Sequence, residues 1–371
     1  MGGEIPLSGK RIHAARLVEC GIGRRGIRHF VWDDPQGTKP FSFDGYRHSL
    51  VGSSRGNRGK TMAKATRQAF GEALAELGGT NPDIVVFDAD LSKSTMSKLF
   101  AEKYPDRFFE MGIQEANMVG AGAGMALSGK IPFICSFACF LTGRYDTIRM
   151  SVSYSQAPVR IVGTHAGIGI GEDGNSQMGL EDIGLMRGLP HMAVIQPADE
   201  LETKQAVRFL ANEHRGPAYL RLSRQKLADV SPEGYRFRLG KGVVLREGKD
   251  VTCFASGGTV EGAVEAAQNL AGQGIDVRVV NLSTIKPIDV DLVVKCAKET
   301  GKIFTVEDHN IIGGMGSAVC EVVAEHCPAS VKRWGLFDTF GESGSTKALY
   351  AKYEFDGAGI AKNIAAFVKG S

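Results

Sequence analysis

The sequence contains no uninterrupted apolar run of about 18 residues, the length a membrane-spanning helix requires. Its N-terminus shows neither a compact apolar segment nor a small-residue cleavage pattern, so neither a membrane span nor a secretory leader is expected. It has no C-x-x-C pair. The seven cysteines, Cys20, Cys135, Cys139, Cys253, Cys296, Cys320 and Cys327, are odd in number, scattered, and in several cases embedded in apolar runs. They read as reduced, mostly buried thiols of a cytoplasmic protein. Cys135 and Cys139 lie four apart, but no His or Cys stands at metal-site spacing from them, and no metal site is expected. A strong charge of one sign is also missing, because the formal net charge is +3. That excess is local: residues 1–61 hold 11 Lys/Arg against five Asp/Glu, which is +6, and the remainder carries −3. Charge therefore gives no reason to expect a nucleic-acid-binding fold.

What is present is ordinary globular composition, 43% hydrophobic and 23% charged over 371 residues, enough for two domains of ~100–200 residues. Residues 1–61 form a basic, Gly/Arg-rich extension without sustained periodicity and are expected to be disordered. From Met62 onward the pattern is regular. Apolar runs at Ile84–Phe87, Ile131–Phe137, Val159–Val162, Ala193–Ile195 and Ala218–Leu222 alternate with helical spacing at Ala65–Leu77, Gln114–Leu127, Asp146–Ser155 and Leu201–Asn212. Continuous Val/Ile-rich strands between helices predict a mostly parallel sheet covered on both faces. The Gly-rich polar stretch 229–248 reads as a linker, which assigns 62–228 to the first domain and 249–371 to a second. There the alternation restarts with strands at Val251–Ala255, Val277–Asn281, Ile303–Val306 and Val331–Trp334, and helices at Val260–Leu270, Val290–Lys298, Gly316–Glu325 and about Ile360–Val368. The fold class is thus α/β, as two consecutive domains.

Three local features could carry chemistry. Gly169-Ile170-Gly171-Glu172-Asp173-Gly174 spells G-x-G-x-x-G, but Glu172 and Asp173 would repel a pyrophosphate, so a tight turn is the simpler reading. Following a parallel strand, the same loop would hold Asp173 at the mouth of a cleft. Glu115 opens a helix rich in Gly and Ala, where an acid commonly does no more than complement the helix dipole. Ile311-Ile312-Gly313-Gly314-Met315-Gly316-Ser317 could seat an anion at a helix start, although a glycine-permitted close turn is favoured, and Glu307, Asp308 and His309 read as a polar cluster at a strand end.

Five ordered strings change the weight of these readings: Met111-Gly112-Ile113-Gln114-Glu115-Ala116-Asn117, Ser136-Phe137-Ala138-Cys139-Phe140, Thr164 through Gly174, Gln196-Pro197-Ala198-Asp199-Glu200, and Leu222-Ser223-Arg224-Gln225. In this order and spacing they resemble the pyrimidine-binding domain of transketolases, and residues beyond them resemble the transketolase C-terminal domain, over about 62–371. The diphosphate-binding domain of that family, with its Gly-Asp-Gly start, is not found before residue 62. The resemblance therefore implies the C-terminal subunit of a split transketolase. A separate N-terminal subunit would bring the diphosphate site of thiamine diphosphate and its Mg2+ or Ca2+, within a heterotetramer built on a dimer of this chain.

The resemblance also assigns roles. Glu115 would hydrogen-bond the cofactor's aminopyrimidine and favour the tautomer whose nitrogen removes the thiazolium proton. Phe140 and Phe137 would pack on the pyrimidine, with a plain core role open for Phe137, Tyr145 would be a third aromatic, and Asp90 would also face the cofactor. Arg67, Ser94, His165 and Arg224 match positions that grip a terminal phosphate, and Asp173 matches the acid that reads a sugar hydroxyl. Where many transketolases carry His, this chain has Gln177, which hydrogen-bonds but does not act as acid or base near neutral pH. The stretch Leu141–Asp146 drifts toward deoxyxylulose-phosphate synthases. Two rivals remain: the β-subunit of a 2-oxoacid dehydrogenase, whose substrates lack the terminal phosphate, and a non-catalytic assembly or regulatory subunit.

Overall fold

A computed structural model describes residues 63–370. The disorder expected for residues 1–61 and the environment of Cys20 lie outside the described residues.

The strands are β1 (Ile84–Asp88), β2 (Phe108–Glu110), β3 (Ile131–Phe137), β4 (Arg160–Thr164), β5 (Ala193–Ile195), β6 (Ala218–Arg221), β7 (Val243–Arg246), β8 (Val251–Ala255), β9 (Val277–Asn281), β10 (Thr284–Lys286), β11 (Lys302–Asn310) and β12 (Ser330–Leu336). The longer helices are α1 (Thr66–Leu77), α2 (Glu115–Leu127), α3 (Glu200–Asn212), α4 (Val260–Ala271), α5 (Val290–Thr300), α6 (Met315–His326) and α7 (Gly357–Lys369). One sheet has seven strands in the order β10-β5-β6-β4-β3-β1-β2, a second has five in the order β12-β11-β8-β9-β7, and a small third pairs Lys64–Ala65 antiparallel with Lys226–Leu227. Within the two larger sheets all pairings are parallel except those of the edge strands β10 with β5 and β7 with β9. Every residue of β1, β4, β6, β8 and β9 is buried, as the uninterrupted apolar runs require when helices cover both faces.

Three elements differ from the periodicity. The stretch read as one helix over 146–155 is a short α turn, Tyr145–Thr147, followed by a π-helix, Ile148–Tyr154, because apolar spacing alone does not fix the hydrogen-bond step. Within 229–248, Val243–Arg246 forms β7 at the antiparallel edge of the second sheet. Strand β10 follows β9 in the chain yet completes the first sheet, pairing Thr284 with Ile195 and Lys286 with Val194. The two sheets are thereby stitched together by main chain. Three helix starts are capped by local acids: Asp199, Asp289 and Asp356 accept the N–H groups of Glu202, Leu292 and Gly359. Of the described cysteines, Cys135, Cys253 and Cys296 are buried, Cys139, Cys320 and Cys327 are partly so, and none is in a disulfide. Among the described residues no helix is long and apolar enough to cross a membrane.

Candidate active site

Parallel strands deliver their following loops to one edge of the sheet, and segments distant in sequence meet there. Strand β1 leads into 89–97, β2 into the start of α2, β3 into Phe137–Phe140, and β4 into His165 and the loop beyond it.

Glu115 is the first residue of α2 and is 4% exposed. Its Oε1 accepts a hydrogen bond from the Ser136 hydroxyl at 3.3 Å, which ties it to the end of β3. The Phe137 ring stacks on the His165 imidazole at 3.8 Å and lies nearly parallel to Phe140, 5.5 Å away at 9°. Phe140 is half-buried and packs against the apolar cluster that contains Phe137. Tyr145 does not join this stack; it packs against the apolar cluster that contains Val119 and Ile148.

His165 is 2% exposed and adopts φ +57°, a conformation few side chains tolerate. Arg67 Nη1 donates to its Nε2 at 3.0 Å, and Thr164 Oγ1 lies 2.8 Å from its Nδ1. Because a guanidinium only donates, Nε2 is the acceptor and the ring proton sits on Nδ1, directed at Thr164. Burial, reinforced by the Arg67 and Arg224 cations, pushes His165 down to about 3, so the ring is neutral at ordinary pH. The two guanidiniums are close enough that Arg224, after burial, also lowers Arg67. Arg67 Nε is buried with no hydrogen-bond partner. Its Nη1 donates to the Ser94 carbonyl at 2.6 Å, so in this state the Ser94 main chain, not its hydroxyl, meets the cluster. Arg224 donates to the Ile170 carbonyl at 2.6 Å and pairs with Asp173 at 3.4 Å.

The 89–97 loop owes its shape to Asp88, a residue that none of the sequence motifs marks. Its carboxylate is fully buried and accepts from the Leu91 N–H at 2.7 Å and from the Thr95 and Ser97 hydroxyls at 2.7 and 2.8 Å. Asp90 is exposed at φ +62°, its N–H held by Glu110 at 2.7 Å. Gln177 is half-buried, and its carbonyl accepts from the Cys139 thiol at 3.2 Å, behind Phe140 in the chain. The structure thus gathers Arg67, His165, Arg224 and Asp173 with the Ser94 main chain, and sets Phe137 between them and Phe140. It shows no direct contact of Asp90 or Gln177 with that group.

The glycine loop 169–174 is two tight turns broken at Gly171, φ +82°. Its Ile168 and Gly169 N–H groups are taken by the Asp308 carboxylate at 2.8 and 3.3 Å. The second glycine motif is likewise occupied from within, because Glu307 accepts from the N–H groups of Met315 and Gly316 at 2.6 and 2.8 Å. His309 is fully buried, 2.6 Å from the Asn310 carbonyl through Nδ1. Among the described residues there is no cluster of three His, Cys, Asp or Glu able to hold a metal.

Comparison with known proteins identifies both domains. Residues 62–229 match the transketolase pyrimidine-binding domain and residues 240–360 the transketolase C-terminal domain. A Methanocaldococcus jannaschii chain named for the C-terminal section of a transketolase is 44% identical over 305 residues, 81% of this chain and 95% of that one. A 6-deoxy-6-sulfo-D-fructose transketolase subunit from Clostridium sp. (strain MSTE9) is 40% identical over 77% of this chain and 89% of its own. Among solved structures, a split-gene transketolase described as an inactive β4 tetramer superposes with a TM-score of 0.75 at 44% identity, covering 83% of this chain and 99% of that one. The chain belongs to the transketolase family, of which it carries the pyrimidine-binding and C-terminal domains.

Proposed function

We propose that the chain is the C-terminal subunit of a thiamine-diphosphate-dependent transketolase that transfers a two-carbon ketol unit from a ketose phosphate to an aldose phosphate. It works with a separate N-terminal subunit that carries the diphosphate site and Mg2+ or Ca2+. The observation that supports this reading best is the adjacency of two unlike half-sites: Glu115 beside the end of β3, and the Arg67–His165–Arg224 cluster across the Phe137 ring.

The residues present fit the pyrimidine end of the cofactor. Glu115 is a buried carboxylate with one hydroxyl partner, and the half-buried Phe140 offers a ring face. When bound, thiamine diphosphate supplies a nucleophilic carbon that takes up the ketol unit. Glu115 would hold a proton in a hydrogen bond to the pyrimidine ring and so favour the tautomer that activates the cofactor. Phe140 would orient that ring and exclude water, with Phe137, stacked between Phe140 and His165, backing it. Two guanidiniums in mutual reach, one with an unpaired buried Nε–H, favour an anion between them, and the substrate phosphate supplies it. His165, neutral, holds Arg67 through Nε2 and adds no charge of its own. Asp173 and Gln177 read sugar hydroxyls, and Asp90 and Ser94 line the cofactor and phosphate sides.

Assembly is a heterotetramer on a dimer of this chain, in line with closed symmetry; the split-gene relative is described as an inactive tetramer of β chains alone, as expected where the partner subunit is absent. The cytoplasm is the compartment in which its thiols stay reduced. The cationic cluster disfavours the 2-oxoacid dehydrogenase alternative, whose substrates carry no terminal phosphate. Assay of the reconstituted pair with xylulose 5-phosphate and ribose 5-phosphate is the test, with this chain alone inactive. Turnover of pyruvate in place of the sugar phosphates overturns the reading, and preference for a sulfonated sugar would reassign the substrate class.

A further inference from the structure

Asp308 lies in the second domain, yet two of the groups that meet its carboxylate belong to the first. Oδ1 accepts the Ile168 N–H at 2.8 Å, and Oδ2 accepts the Gly169 N–H at 3.3 Å and the Tyr350 hydroxyl at 3.0 Å. Tyr350 in turn receives a hydrogen bond from Gln225 Nε2 at 2.6 Å, next in sequence to Arg224. The Thr346 hydroxyl donates to the Gly169 carbonyl at 3.0 Å.

The glycines of the loop fit this docking. Gly167 has φ +78°, and a Cβ there would lie 2.2 Å from Asp308 Oδ2; at Gly171, φ +82°, it would lie 3.2 Å from the Gly344 carbonyl. So many glycines would leave the segment loose by itself. Pinned from the second domain, it delivers the Ile170 carbonyl to Arg224 at 2.6 Å and Asp173 to the same guanidinium at 3.4 Å.

We propose that Asp308 is a positioning residue of the active site, fixing loop 167–174 from the second domain so that Arg224 and Asp173 stand where a sugar phosphate is gripped. The pinning stands on the hydrogen bonds alone; its consequence for sugar phosphates rests on the function proposed above. The second domain then does more than support assembly, because it shapes the substrate side of the site.

Asp308→Asn keeps the shape but replaces one acceptor oxygen with a donor. The Tyr350 hydroxyl can turn to accept from it, whereas a backbone N–H cannot, so one loop N–H is left without an acceptor. Amide exchange of peptides spanning 166–174 in the full chain should quicken about tenfold in Asp308→Asn. Val319→Ala, a cavity in a core cluster that does not include the loop's Ile168 and Ile170, serves as the control for general loss of stability and should leave those peptides at the wild-type rate. In the reconstituted pair, Asp308→Asn should raise KM for xylulose 5-phosphate by about tenfold with kcat changed less than about twofold. Unchanged exchange over 166–174, or the same change in Val319→Ala, overturns the proposal, as does an unchanged KM in a pair whose wild type turns over. A wild-type pair inactive on sugar phosphates defeats the proposed function instead, and the exchange comparison still decides whether Asp308 holds the loop.

Discussion

Replacing Asp88 with Asn should stabilise the chain at neutral pH, against the usual outcome of removing a buried, hydrogen-bonded charge. Burial pushes the Asp88 carboxyl from 3.8 up to about 6, a rise that hydrogen bonds from Thr95, Ser97 and Leu91 oppose and the nearby Glu110 reinforces. A rise of that size corresponds to about 3 kcal/mol. Between pH 3.8 and 6 the folded chain keeps a proton that the unfolded chain has already released, so stability falls as pH rises through that window. Above it the wild type carries the whole penalty of a buried charge. Asn is neutral throughout: its oxygen keeps the Leu91 N–H, and its NH2 donates to the Thr95 and Ser97 hydroxyls, which rotate to accept. The two proteins should match near pH 4, and Asp88→Asn should be more stable by up to about 3 kcal/mol at pH 7. Urea denaturation at one protein concentration from pH 4 to 7.5 measures this, and the difference between the two curves is the quantity to read. Other groups cancel in it, including His165, which is held near 3 and so weakens the fold as pH drops below 6.5. A flat difference across the window, or a less stable Asp88→Asn at pH 7, would refute the reasoning.

Glu115→Gln in the reconstituted pair should lower turnover by about 10²–10⁴ with an unchanged melting temperature; full activity would remove Glu115 from the chemistry. The His165 ring proton should show no NMR titration down to pH 5 in the wild-type chain, because burial and the Arg67 and Arg224 cations hold it near 3. Arg221→Met leaves Asp182 buried without the guanidinium that contacts it at 2.7 and 3.1 Å, and should cost about 3–5 kcal/mol in denaturation; a loss below about 1 kcal/mol would contradict this. Gly167→Ala forces a methyl onto the Asp308 carboxylate at φ +78°, and should raise KM for the ketose phosphate even if the chain stays folded.

Much of the fold was legible because buried parallel strands announce themselves: β3, β5, β8 and β9 begin and end where the apolar runs do. The elements that periodicity passes over are short or paired at a distance. All four positions of β7 are only half-buried, and β2 is three residues long. Nothing in Thr284–Lys286 indicates that its partner is Ala193–Ile195, nearly ninety residues earlier and in the other domain. The site shows the same division. Arg67, His165 and Arg224 span more than 150 residues, and only resemblance linked them before the fold placed them together. The roles of Asp88 and of Asp308, which the sequence shows only as part of a polar strand end, stayed hidden for a physical reason: a buried acid is defined by the donors that converge on it, and these come from loops whose shape the acid itself sets.

Glu307 and Asp308 explain why two motifs spelled like phosphate loops need no phosphate. Neighbouring residues of a strand project to opposite sides, so two adjacent carboxylates of β11 reach two different loops. Glu307 turns into its own domain and caps the start of α6 through Met315 and Gly316, while Asp308 crosses to Ile168 and Gly169. In each case glycine does what it does beneath a bound phosphate, allowing an anion to approach main-chain N–H groups closely. A Cβ at Gly314 would lie 2.2 Å from Glu307 Oε2, the same crowding that Gly167 shows against Asp308. The anions belong to the chain itself. An added phosphate would have to displace a carboxylate already satisfied by two N–H donors, whereas the Arg67–Arg224 pair has cations in mutual reach and a buried N–H to spare. Glycine spacing therefore marks where the chain binds itself, and the Arg67 Nε–H left without an acceptor marks where it is built to bind something else.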